Sequence, residues 1–131
     1  ELDLVQQDAA SSGTWYQNKE QFRQSLNEGY REVFWPLDQS AEGWTDDWQR
    51  RDALNSIKAG TVSSEFGTAS TNWSNMYKAI TRVLVVLEKL DTQDILGEED
   101  TKLFRAEANF LRASYWSYLI SHYGDVPFYE E

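Results

Sequence analysis

Apolar residues recur along this chain at helical spacing, and three long helices follow from them. Phe22, Leu26, Tyr30, Val33 and Phe34 fall on one helical face. Asn18 precedes them, with Gln21 three residues later, which is the arrangement of a capping box. Pro36 closes this first helix, because the residue before a proline is pushed out of helical geometry. A second stripe, Trp73, Met76, Tyr77, Ile80, Val83, Leu84, Leu87 and Leu90, predicts a helix from about Asn72 to Leu90. A third helix is expected from Glu98 to Tyr123, with Gly124 as its cap and Pro127 preventing continuation.

The third helix is apolar on two sides. Phe104, Ala108, Leu111, Tyr115 and Leu119 make one face, and Leu103, Ala106, Phe110, Ala113 and Ile120 the other. Both are expected to be packed, with Phe110 as a core ring between small neighbours. Arg105, Glu107 and Arg112 are expected to form ion pairs along the surface of their own helix. No alternation of period two persists, so the chain is expected to be all-α. The expected architecture is a helical array. Ala106, Phe110 and Ala113 also fall at the small-large-small spacing of the second helix of a TPR unit, although Ala and Phe are common residues. A long loop separates the first and second long helices.

That loop, 35–70, carries most of the candidate chemistry. It holds Gly43, Trp44, Asp46, Asp47, Trp48, Arg50, Arg51 and Phe66, with Asn72 and Trp73 following. A sugar ring presents an apolar C–H face that stacks on a Trp or Tyr, while carboxylates, amides and arginines take its hydroxyls. Trp44, Asp46, Trp48, Arg51 and Asn72 are therefore the candidate ligand-binding residues. The competing structural reading places Trp48 under the loop and uses Thr45 and the acids to start a short helix. Trp73 and Trp116 lie on apolar stripes and are expected in the core. His122, in the last turn of its helix, has no catalytic role.

Composition narrows the function. The 131 residues suit one core, and 40% are hydrophobic. Net charge is −10, which repels nucleic-acid phosphate and anionic headgroups, so neither is an expected partner. Six Trp and seven Tyr exceed the needs of a small core. With no Cys and one His, neither a disulfide nor a thiolate or histidine metal site is available, and no cofactor is expected. The longest apolar run, Val83 to Leu87, is far short of a membrane span. No signal peptide is present, and a start at Glu1 reads as a trimmed boundary. A glycoside hydrolase needs two carboxylates flanking a bond, about 5–5.5 or 6.5–9.5 Å apart. Asp46 and Asp47 are adjacent and cannot flank one, Glu65 is a conceivable second member, and nothing raises this reading above chance.

Residues 105–113, Arg-Ala-Glu-Ala-Asn-Phe-Leu-Arg-Ala, then Tyr115-Trp116 and Tyr123-Gly124-Asp125-Val126-Pro127, resemble the signature of the SusD/RagB family. Leu2-Asp3-Leu4, Thr14-Trp15-Tyr16 and Trp73, Tyr77, Ile80, Leu87 agree with it in order. The chain departs at Leu84, where the family usually has Asn, and at Tyr118, where an acid is common. The resemblance implies that residues 1–131 are the N-terminal domain, a TPR-like helical array, of a longer nutrient-binding lipoprotein, not an enzyme. Such a protein sits on the extracellular face of the outer membrane, held there by an N-terminal lipid anchor outside this segment. It captures oligosaccharides, or peptides in some relatives, for a SusC-like TonB-dependent transporter. A TPR-like module that binds a peptide or protein is the alternative.

Overall fold

A computed structural model describes residues 15–36, 45–47, 56–63 and 65–129. Trp44, Trp48 and Arg51 lie outside the described residues. Helix α1 spans Lys19–Glu28, a 3-10 turn Glu32–Phe34, helix α2 Gly67–Thr92 and helix α3 Glu98–Tyr123. No strand occurs among the described residues, and the chain is all-α.

Helices α2 and α3 form an antiparallel hairpin joined by residues 93–97. Trp73 near the start of α2 meets Tyr123 at the end of α3, and Asp91 near the end of α2 meets Arg105 near the start of α3. Helix α1 packs against both. The buried side chains come from the expected stripes: Phe22 and Leu26 of α1, Met76, Ile80, Val83 and Leu87 of α2, and Phe104, Ala108, Leu111, Tyr115 and Leu119 of α3. No polar side chain is buried among the described residues.

The start of α1 is as expected, with one variation. Asn18 Oδ1 accepts the Gln21 amide at 3.0 Å. The Gln21 side chain reaches back one residue beyond the cap, accepting the Gln17 amide at 2.6 Å rather than that of Asn18. The end of α1 is a correction. The helix stops at Glu28, not at Pro36, and leaves Tyr30 and Val33 exposed. Continuing it would require the Gly29 carbonyl to accept the Val33 amide. That carbonyl instead accepts the Trp35 indole N–H at 2.8 Å and the Tyr115 hydroxyl. Arg31 is extended, and the chain turns so that Phe34 enters the core. Gly29 is needed for its lack of bulk. A Cβ there would lie 2.7 Å from Leu111 Cδ1 and 2.9 Å from the Tyr115 hydroxyl.

Helix α2 begins earlier than its apolar stripe. The stretch Thr68 to Thr71 has no apolar period, yet it runs beside the end of α3, where the Tyr123 hydroxyl donates to the Ala69 carbonyl at 2.6 Å. Helix α3 has the expected bounds. Its N-terminus has no side-chain cap, and Glu98, Glu99 and Asp100 supply negative charge there instead. Gly124 ends it with a φ of 75°, a conformation that a Cβ would strain.

Two further expectations are overturned. The second face of α3 is not packed: Phe110 is 57% exposed, and Leu103 and Ile120 are exposed with it. The expected ion pairs along α3 do not form either. Glu107 instead receives both bonds from Arg23 of α1, at 2.7 and 2.8 Å, and Arg105 reaches Asp91 of α2. In both cases the partner comes from a neighbouring helix and not from the next turn of α3.

Candidate functional site

A groove of about 250 Å³ opens beside the 3-10 turn. Phe34, Trp35 and Pro36 form one wall, Met76 and Tyr115 the floor, and Ser114, Ser117, Tyr118, Ser121 and His122 of α3 the other wall. Trp35 is fixed in place by its bond to Gly29. Its ring is flanked by Tyr30 at 6.1 Å, nearly parallel, and by Phe110 at 6.4 Å, while Tyr115 meets its edge at 6.0 Å. Tyr30 and Phe110 are both well exposed, so the two rings extend an aromatic surface outward from Trp35.

The opposite wall is polar. Ser114 and Ser121 donate their hydroxyl protons to the carbonyls of Phe110 and Ser117, at 2.9 and 2.7 Å. Their oxygens keep lone pairs for an incoming donor. Tyr118 stacks on His122, with ring centroids 3.9 Å apart, and a His122 ring nitrogen lies 2.9 Å from the Tyr118 carbonyl. Asn72, half-buried on α2, donates its amide N–H to the Tyr118 hydroxyl at 3.0 Å. Burial raises the Tyr115 hydroxyl well above the ordinary tyrosine range, so it stays protonated as a donor to Gly29.

Of the candidates named from sequence, Asn72 is thus brought to this groove through Tyr118. Asp46 is exposed at the surface. Trp35 and the serines were not singled out from sequence, and Tyr118 stood out only as a departure from the family pattern. The signal was present: Ser114, Ser117 and Ser121 repeat at spacings of three and four, a polar stripe among aromatics on one helix.

A second aromatic cluster serves the fold. The segment after α3 folds back on the hairpin, and the Tyr77 hydroxyl donates to the Pro127 carbonyl at 2.8 Å. Trp116 is buried against Tyr77 and Phe128, and half-buried Trp73 packs between Tyr77 and Tyr123. Burial raises the hydroxyls of Tyr77 and Tyr123 above their ordinary value, and for Tyr123 neighbouring Tyr118 adds to the effect. The core placement expected for Trp73 and Trp116 holds in this form. Among the described residues no group of His, Asp and Glu could hold a metal ion, and no helix is long and apolar enough to cross a membrane.

Ring faces beside fixed hydrogen-bond acceptors are the equipment of a binding protein. Residues 5–131 match the SusD-like family, described as starch-binding and associating with the outer membrane. The chain belongs to that family, whose members are binding proteins and not enzymes. It is also similar to a SusD-like protein of Formosa agariphila, with 31% identity over 70 residues. That match takes in 53% of this chain and spans only 13% of the relative's own length. No solved structure matches the chain comparably.

Proposed function

We propose that this chain is the N-terminal domain of a surface nutrient-binding lipoprotein. It captures oligosaccharides on the extracellular face of the outer membrane and passes them to a SusC-like TonB-dependent transporter. Family membership supports the glycan-binding role and the outer-membrane association. The observation that carries the reading is the groove beside the 3-10 turn. Trp35 and its flanking rings offer flat apolar faces, and the serine stripe and the Asn72–Tyr118 pair offer polar contacts to hydroxyls. Trp44, Asp46, Trp48 and Arg51 are further proposed ligand contacts, on the chemistry of their side chains alone. In this reading the hairpin and α1 begin a TPR-like array.

Affinity electrophoresis through gels cast with a panel of neutral and acidic polysaccharides tests the proposal. Retardation by at least one of them, reversed by the free oligosaccharide, is the expected result. Migration unchanged in every gel, together with binding to a peptide library, would transfer the function to peptide capture.

A further inference from the structure

In a chain with 22 Asp and Glu against 12 Lys and Arg, an arginine has carboxylates on most sides. Among the described residues Arg23 pairs with Glu107, Arg31 and Arg82 share Glu28, and Arg105 holds Asp91. Arg112 is the exception. It is half-buried on α3, and its side chain makes no hydrogen bond or ion pair among the described residues.

The register of the hairpin explains why. Arg105 meets Asp91, and Arg112 lies two turns further on, roughly 10 Å along the axis. Because the helices are antiparallel, the same displacement on α2 leads back to Leu84 and Val85, which carry no charge. A half-buried arginine with no anion beside it has its stem held against the protein and its guanidinium left to take a carboxylate from outside the chain. Its planar fork is shaped for two parallel bonds to a carboxylate.

Arg112 also lines a groove of about 800 Å³ between α2 and α3, within the usual size range of ligand pockets. Asn109 precedes it by one turn on the same wall, Glu88 lies on the facing helix, and the partly exposed ring of Tyr129 also lines the groove. We propose that this groove binds an acidic sugar, with the carboxylate of a uronic acid residue on Arg112. The Asn109 amide and the Glu88 carboxylate take ring hydroxyls, and Tyr129 receives the apolar face of the ring. Glu88 and Asp91 set the charge limit. They would repel a densely anionic ligand, whereas a single carboxylate flanked by hydroxyls meets Arg112, with Arg105 of the same groove already held by Asp91, and several hydrogen-bonding groups. This inference rests on the glycan-binding reading and adds a second, charge-selective site to it.

Calorimetric titration of the intact chain at low salt tests it, using a uronic acid trisaccharide, its carboxyl methyl ester and the neutral hexose trisaccharide. The acid should bind at least about tenfold more tightly than the ester, as loss of a charge-assisted bidentate pair implies. Arg112→Gln should bring that ratio close to one, and Arg112→Lys should keep part of it. Equal binding of acid and ester, or a preference that survives Arg112→Gln, overturns the proposal while leaving neutral glycan capture intact. Failure of all three sugars overturns the uronate proposal, and the polysaccharide gels then decide glycan capture separately. Displacement of an Arg112-dependent signal by a peptide carboxylate, with no response to the uronate, also overturns it. If Arg112→Gln melts early, the acid-to-ester ratio of the unsubstituted chain decides, since it must shrink as salt rises.

Discussion

Phe104 and Phe110 stand six residues apart on α3 and are chemically identical, so truncating each to Ala isolates the effect of position. Phe104 is 1% exposed, deep in the core, and the Arg23 guanidinium lies 4.6 Å from its ring centroid. Phe104→Ala removes a buried ring and leaves a cavity that flanking helices cannot fill, a loss of about 3–5 kcal/mol. For a chain of this size that corresponds to a fall in Tm of roughly 10–20 °C. Phe110 is 57% exposed and retains chiefly its contact with Trp35. Phe110→Ala should cost about 1 kcal/mol, the scale of one aromatic pair and partial burial. Urea denaturation followed by circular dichroism measures both, with the m-value checking that each variant still unfolds in one step. Equal losses, or a larger loss at Phe110, would refute the assignment of the two faces and mean that Phe110 is covered in solution.

Gly29→Ala should destabilise by about 1–3 kcal/mol, because the new methyl drives against Leu111 and the Tyr115 hydroxyl; unchanged denaturation would show that those side chains yield freely. Stability should be full below the ordinary tyrosine value of 10.0 and fall as pH rises past it, since the unfolded chain ionises Tyr115 and the folded chain resists. Tyr115→Phe should flatten that decline and cost about 1 kcal/mol at neutral pH for the bond to Gly29, and an equally steep alkaline melt would assign the effect elsewhere. Trp44→Ala and Asn72→Ala should each weaken glycan binding about tenfold without lowering Tm by more than a few degrees. Normal retardation of both variants in the polysaccharide gels would remove them from the site. Binding should survive a chelator such as EDTA, and its loss would reveal a metal requirement.

Where side chains repeat at helical spacing, the sequence was a faithful guide to the fold. The stripe from Trp73 to Leu90 and the face from Phe104 to Leu119 are the core of the hairpin, and Gly124 ends α3 as a glycine cap should. Features that depend on distant neighbours were illegible. The end of α1 is set by Tyr115, far along the chain, taking the Gly29 carbonyl. The partners of Arg23 and Arg105 are likewise fixed by how helices meet, not by spacing within one of them. Local pattern gave Phe110 the same weight as Phe104, because an apolar residue on a helix does not reveal which face has a partner. The candidate site was legible only at Asn72. Trp35 reads as a loop residue until the turn around Gly29 brings it against α3, and Trp44, Trp48 and Arg51 stand where they did, as proposals from composition.

The five-residue connector between α2 and α3 has a kinetic consequence. Closing it fixes a hairpin whose contacts are local, whereas α1 reaches the same core across the much longer stretch 29–66. Loop-closure entropy favours the short route by roughly 2 kcal/mol. The hairpin should therefore assemble first, and α1 should dock onto a surface already made. Native-state hydrogen exchange would then divide the molecule into two units. Amides in the middle of α2 and α3 would exchange only on global unfolding, while those of α1 would open through a smaller and more frequent excursion. Because the Gly29 turn carries Trp35 to the groove, each such excursion would also dismantle the aromatic wall, so ligand bound there would slow the exchange of α1 before that of any other helix.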